Sequence, residues 1–294
     1  MKLLLENWRK YLREARYESE FTDALTKNLV SDIQATVKEW PGTYKLVYPL
    51  TEGGEKRFNT MAGWKRERYI VLPRPDFTGA SPHQVSEIAT VAEYVLIEIG
   101  PAEKDDTKIG VGGQMFKDHA LVYMKIPSRI NTLEKFYNAI QASSDWLIRV
   151  KSTLDHEIRH GLQNKAAERD ENWGVTPNRE DIKKLIINVI GEEEYNTRFK
   201  NPQFSPVGPR QWLFFTWRPD EIEAYIVSAV RRARGKQNPQ RIRQEIETIL
   251  VSIFENGWNL WEEVGYSKKE AQAILSAQAD YFYNIYKKYG GLFE

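Results

Sequence analysis

The chain has 294 residues, and its 42 Lys and Arg against 41 Asp and Glu leave a net charge of +1. That balance excludes a global field able to gather nucleic acid or anionic membrane. The absence of cysteine excludes disulfides and thiolate metal sites, so a metal here must be held by His, Asp or Glu. Apolar residues at 41% and charged residues at 28% are those of an ordinary globular protein. No apolar run approaches the roughly 20 residues that span a bilayer.

Residues 1–16 read as a short basic amphipathic helix, with Leu4, Trp8, Leu12 and Ala15 at helical spacing. Leu3–Leu5 is too short for the apolar core of a secretory signal, and no small-residue cleavage site follows. Residues 20–39 predict a helix with Phe21, Leu25, Leu29 and Ile33 on one side, stopped by Pro41-Gly42. Strands are expected at Tyr44–Tyr48, Arg68–Leu72, Tyr94–Ile99 and His119–Ile126, with a helix from Ser81-Pro82 to about Ala92. Gly110–Gly113 reads as a flexible turn. It lacks the Lys-Ser/Thr of a phosphate loop and the spacing of a dinucleotide fingerprint.

Asn131–Gln141 predicts a helix capped by Asn131 or Thr132, and a helix over Asp145–Asn164 follows. Residues 165–217 hold a polar loop, a helix from Arg179 to Ile190, a Pro/Gly loop and the aromatic run Trp212, Phe214, Phe215, Trp217. This insertion suits a lid or recognition element, although an aromatic cluster is more often core. Arg231–Arg243 is basic, either an anionic-polymer patch or, as favoured here, a solvated turn between helices. Helices are expected over Pro239–Glu263 and from the capping box Ser267/Glu270 to about Tyr289.

The chemistry concentrates in Asp155-His156-Glu157-Ile-Arg-His160-Gly161. On a helix His156 and His160 lie one turn apart on one face, where two imidazoles can share a zinc ion. Glu157 sits roughly 100° round the helix, able to reach a water on the metal without ligating. A chain of this composition contains the His-Glu-x-x-His pattern by chance about 0.5% of the time. Trp146, Ile148, Val150, Leu154, Ile158 and Leu162 place apolar contacts on more than one side, as in a helix crossing a core.

These residues resemble the zincin metallopeptidases, and Arg218-Pro-Asp-Glu221-Ile-Glu223-Ala224-Tyr225 resembles the later ligand helix of the gluzincin branch. The resemblance covers residues 119–230. It implies an α+β fold, zincin-like and predominantly helical, with a small, mostly antiparallel sheet before the active-site helix. It implies Zn²⁺ as cofactor, a peptide or protein substrate, two histidine ligands, a later glutamate ligand and Glu157 as general base. The strand at His119–Ile126 would then border the cleft and offer an open edge to an extended peptide. His119 opens that strand, where an imidazole can orient a ligand, stabilise an oxyanion or simply face solvent.

Glu221 and Glu223 point about 200° apart on a helix, so only one can face the metal. Glu223 falls on the apolar arc with Ile222, Ile226, Val227, Ala229 and Val230, where a buried carboxylate needs a partner. Glu221 falls with Ser228, Arg231 and Arg232, so the wheel selects Glu223 as third ligand. A buried ion pair with an arginine would satisfy the same carboxylate.

Leu12-Arg13-Glu14 followed by Ala15 resembles the Leu/Ile-x-Glu site that ends the capsid-targeting peptides of internal proteins in contractile-tailed bacteriophages. This second resemblance implies a targeting peptide at residues 1–16, the capsid packaging machinery as partner, and residence in a virion rather than in cytoplasm alone. The expected organisation is a single catalytic domain over 17–294, with a sheet-containing half (17–143) and a helical half (144–294). The expected function is zinc-dependent peptide hydrolysis. The alternatives are a non-catalytic virion protein with this fold, or a nucleic-acid-binding module using Arg231–Arg243.

Overall fold

The computed structural model describes residues 20–54, 56, 68–77, 80, 82–102, 108–168, 184, 187–188, 191–199, 219–233, 239–256 and 267–289. The expectations for residues 1–16, and nearly all of those for 165–217, lie outside them. The chain divides into two compact units, parting between residues 172 and 173. The fold is α+β, with one small sheet. No described helix is long and apolar enough to cross a membrane.

The first unit is built on a five-stranded sheet of β1 (Tyr44–Pro49), β2 (Arg68–Val71), β3 (Tyr94–Pro101), β4 (Gly110–Met115) and β5 (His119–Ile126), in the order β2-β1-β3-β5-β4. Its helices are α1 (Leu29–Thr36), α2 (Pro82–Ala89), α3 (Leu133–Ala142) and α4 (Asp145–Glu168). The expected helix at 20–39 is broken by a turn at Lys27-Asn28, yet Phe21, Leu25, Leu29 and Ile33 are all buried.

The sheet is mixed rather than mostly antiparallel. β1 pairs parallel with β2 and β3 parallel with β5, while the β1–β3 and β4–β5 pairings are antiparallel. The chain leaves β3, runs out to the edge as β4, and returns as β5 between them, which makes β5 parallel to β3.

The residues expected to form a turn at Gly110–Gly113 are in fact the first four of strand β4. Glycine disfavours strands for want of a side chain to pack. Here the neighbours overrule that preference: α4 packs across β4 and β5 and leaves no room for a side chain at Gly113, while Tyr123 of β5 occupies the place of one at Gly112.

The face of β5 toward α4 is Ala120, Val122, Met124 and Ile126, all fully buried. The opposite face carries a smaller cluster of Val47, Tyr94 and Leu96, flanked by Tyr69, Val71 and Leu121. Polar tips on the large core rings are satisfied. Trp146 Nε1 donates to the Ile140 carbonyl at 2.9 Å and Trp40 Nε1 to that of Ile130 at 2.6 Å. Tyr48 OH donates to Asp32 Oδ2 at 2.9 Å, tying β1 to α1, and burial followed by the Asp32 charge pushes its phenol pKa far up.

The second unit has α5 (Glu192–Phe199), α6 (Pro219–Ala233), α7 (Pro239–Asn256) and α8 (Lys268–Tyr289). Ile222, Ile226 and Ala229 of α6, Ile246 and Leu250 of α7, and Ile274, Leu275 and Phe282 of α8 form one core. Within the basic stretch, Arg241 pairs with Glu245 at 2.9 Å, and Arg243 with Glu247 at 2.7 Å and Asp280 at 2.6 Å. Arg231 is buried.

Candidate metal centre

Helix α4 carries the motif. Its apolar stripe is Trp146, Val150, Leu154, Ile158 and Leu162, spaced by four and all buried, whereas Ile148 is exposed. The middle of the helix is nonetheless enclosed on its polar side, since Ser152, Asp155, Glu157 and Arg159 are buried as well. Such burial is costly for charged groups unless they serve one another or a ligand.

The histidines one turn apart converge through like atoms, with His156 Nε2 3.1 Å from His160 Nε2. The rings stand edge to face, 4.7 Å between centroids and 83° between planes. Two ligands of a tetrahedral zinc, each about 2.0–2.1 Å from the ion, stand ~3.3–3.4 Å apart, so these two nitrogens fit one cation between them. His160 Nδ1 lies 2.9 Å from Gln163 Oε1. A carbonyl oxygen only accepts, so Nδ1 is the donor to Gln163, which leaves Nε2 as the ring atom available to a cation. Gln163 carried no role in the sequence. Its signal was the i+3 position after His160, which places it over the same helix face.

Strand β4 sets how close Glu157 comes to the sheet. A Cβ at Gly113 would stand 2.6 Å from Thr153 Cγ2, 2.8 Å from Glu157 Cγ and 2.9 Å from Glu157 Oε1. One helical turn on, a Cβ at Gly161 would stand 2.8 Å from Met115 Cε. Helix and edge strand are therefore seated on one another through two glycines, with the Glu157 carboxylate against the strand. Gly113→Val is expected to lower stability by about 1–3 kcal/mol through overpacking, read from urea unfolding. A change below about 0.5 kcal/mol, the range of ordinary surface substitutions, would show that the helix is not seated as described.

On the far side of β4, a Cβ at Gly112 would collide with the Tyr123 hydroxyl and ring. Burial, and then the Glu157 charge, raise the Tyr123 phenol pKa above its ordinary value. Nothing in the sequence marked Tyr123, because its place over Gly112 depends on the β4–β5 register.

The strand expected to offer an open edge, His119–Ile126, is interior, flanked by β3 and β4, and the edge beside α4 belongs to β4. His119 sits at the β4–β5 hairpin. Its Nδ1 is 2.7 Å from Asp118 Oδ1 and 2.9 Å from Tyr94 OH, and its ring is stacked between Tyr94 and Phe116.

On α6, Glu221 is 5% exposed and Glu223 4%. One ligand atom each of His156, His160 and Glu221 lie within 4.8 Å of one another, a grouping able to hold a metal ion. Glu223, the residue the wheel selects, is not in that grouping. The wheel assumed that the side with Ser228 and Arg231 faces water, but those residues are buried too. On a helix enclosed all round, apolar neighbours no longer mark which carboxylate needs a partner.

No family model matches the chain, and neither does any curated protein or solved structure.

Proposed function

We propose that the protein is a zinc-dependent peptidase, with His156, His160 and Glu221 as ligands and Glu157 as general base. The observation that carries this reading is the convergence of His156 and His160 Nε2 to 3.1 Å, with Gln163 holding the His160 tautomer. A zinc ion held there supplies Lewis-acid polarisation of a scissile carbonyl and acidifies water near pH 7. With these three residues as its protein ligands, a zinc ion would have a coordination position left for water, as catalytic rather than structural zinc sites do.

Glu157 projects from the residue next to His156 without joining the ligand group. Its carboxylate takes the proton from the attacking water and returns it to the departing amine. Strand β4 supplies the substrate track. Phe116 N–H donates to the His119 carbonyl at 2.8 Å, and alternation along an antiparallel ladder then turns the Val111, Gly113 and Met115 backbone groups away from β5. Those groups point to the edge that no described strand covers, where an extended peptide can pair beside Glu157.

Nucleic acid is not favoured, since Arg241 and Arg243 are each bound to acids of α7 or α8. Packaging in a virion would decide where such a peptidase acts, and leaves its chemistry unchanged.

The test is metal uptake joined to hydrolysis. Protein stripped by chelator and returned to zinc is expected to take up about one ion per chain and to cleave unfolded protein substrates only in the loaded form. Protein that takes up no zinc, cobalt or manganese sinks the reading.

A further inference from the structure

The pair Gly112-Gly113 is used from both faces of one edge strand. Glu157 leans on Gly113 from the helix side, and the Tyr123 ring lies over Gly112 from the other side. We propose that Tyr123 forms a substrate side-chain subsite: its ring is the floor on which a large apolar or aromatic side chain of the peptide rests, one residue away from the position facing Glu157. This rests on the peptidase reading and on pairing along β4, and it adds which side chain the site selects.

Paired strands share their faces, so a peptide residue opposite Gly112 projects on the same side as Tyr123. A side chain at position 112 would fill that place itself. Gly112 leaves it to the ring, which reaches across from β5. Tyr123 is 37% exposed, although the residues opposite it on β4 and beside it on β3 belong to a packed sheet. Among the described residues three large apolar side chains are exposed, and two of them, Tyr123 and Phe116, stand beside this edge. Lys125 Nζ lies 6.0 Å from the Tyr123 centroid, within the range in which a cation steadies an aromatic ring. A flat, anchored ring costs little conformational entropy when a ligand covers it, which is why aromatic residues serve as contact platforms.

The competing account is that Tyr123 merely covers a glycine, a known way of stabilising a strand. A mixed peptide library cut by the zinc-loaded wild type, with sites identified by mass spectrometry, separates the two. The expected profile prefers Phe, Tyr, Leu or Met at one position next to the one that faces Glu157. Tyr123→Ala is expected to reduce that preference about 10-fold or more, the factor carried by one apolar contact, while other positions keep theirs. Tyr123→Phe should retain it, and Tyr123→Gln, which still spans Gly112, should lose it even if the alanine variant fails to fold. A wild-type profile flat at that position, or one unchanged in Tyr123→Gln, overturns the subsite and leaves the peptidase standing. Zinc-loaded protein that neither cuts nor binds any library peptide overturns both.

Discussion

Glu157→Gln is expected to fold, to bind zinc as the wild type does, and to lose about 10²–10⁴-fold in peptide hydrolysis, the contribution typical of a positioned general base. The substitution keeps the shape of the side chain, so its close approach to Gly113, where α4 is seated on β4, survives. What disappears is an acceptor for the proton of the attacking water. Unfolding midpoint, metal content and kcat measured on one preparation separate these effects. A variant that keeps zinc and more than a tenth of the wild-type rate would falsify the role given to Glu157. A variant that loses its zinc would mean the carboxylate belongs to the ligand set.

Glu221→Ala and Glu223→Ala should differ in kind. Removing an outer partner of a metal ligand costs about 10–100-fold in affinity, and removing a ligand costs more. Glu221→Ala is therefore expected to weaken zinc binding by more than 100-fold in a competitive chelator titration, and Glu223→Ala by 100-fold or less. Both carboxylates are buried, so either change alters packing, and thermal midpoints of the metal-free proteins control for that. The reverse ranking would restore Glu223, the choice made from the helical wheel, and would turn Glu221 into a structural partner.

What was legible in the sequence follows what is local. His156 and His160 could be paired from spacing alone, because helix period fixes which side chains share a face. The four strands with β-branched or aromatic runs were placed within two residues of their ends. Strand β4 was missed because its sequence, Gly-Val-Gly-Gly, carries turn chemistry, while its conformation is imposed by α4 above it and Tyr123 beside it. Strand direction was misjudged because nothing local says that β4 runs outside β5 before the chain turns back. Glu221 and Glu223 were separable in direction but not in role, since that depends on what encloses α6. Residues whose meaning lies in register or in a neighbour's shape, such as Gly112, Gly113 and Tyr123, had no local mark to read.

Three of the six residues of β4 are glycine. Each loses more backbone freedom on ordering than alanine would, about 0.5–1 kcal/mol, so the strand spends roughly 1.5–3 kcal/mol of free energy to stay extended. An edge strand so composed gains order from whatever pairs with it. A segment laid along the side that no described strand covers would complete a second ladder, and by linkage the ordering of β4 and the retention of that segment would favour each other to the same degree. A peptide bound as proposed would then order the strand that holds it, and segments that cannot lie extended would be refused by the cost of ordering them.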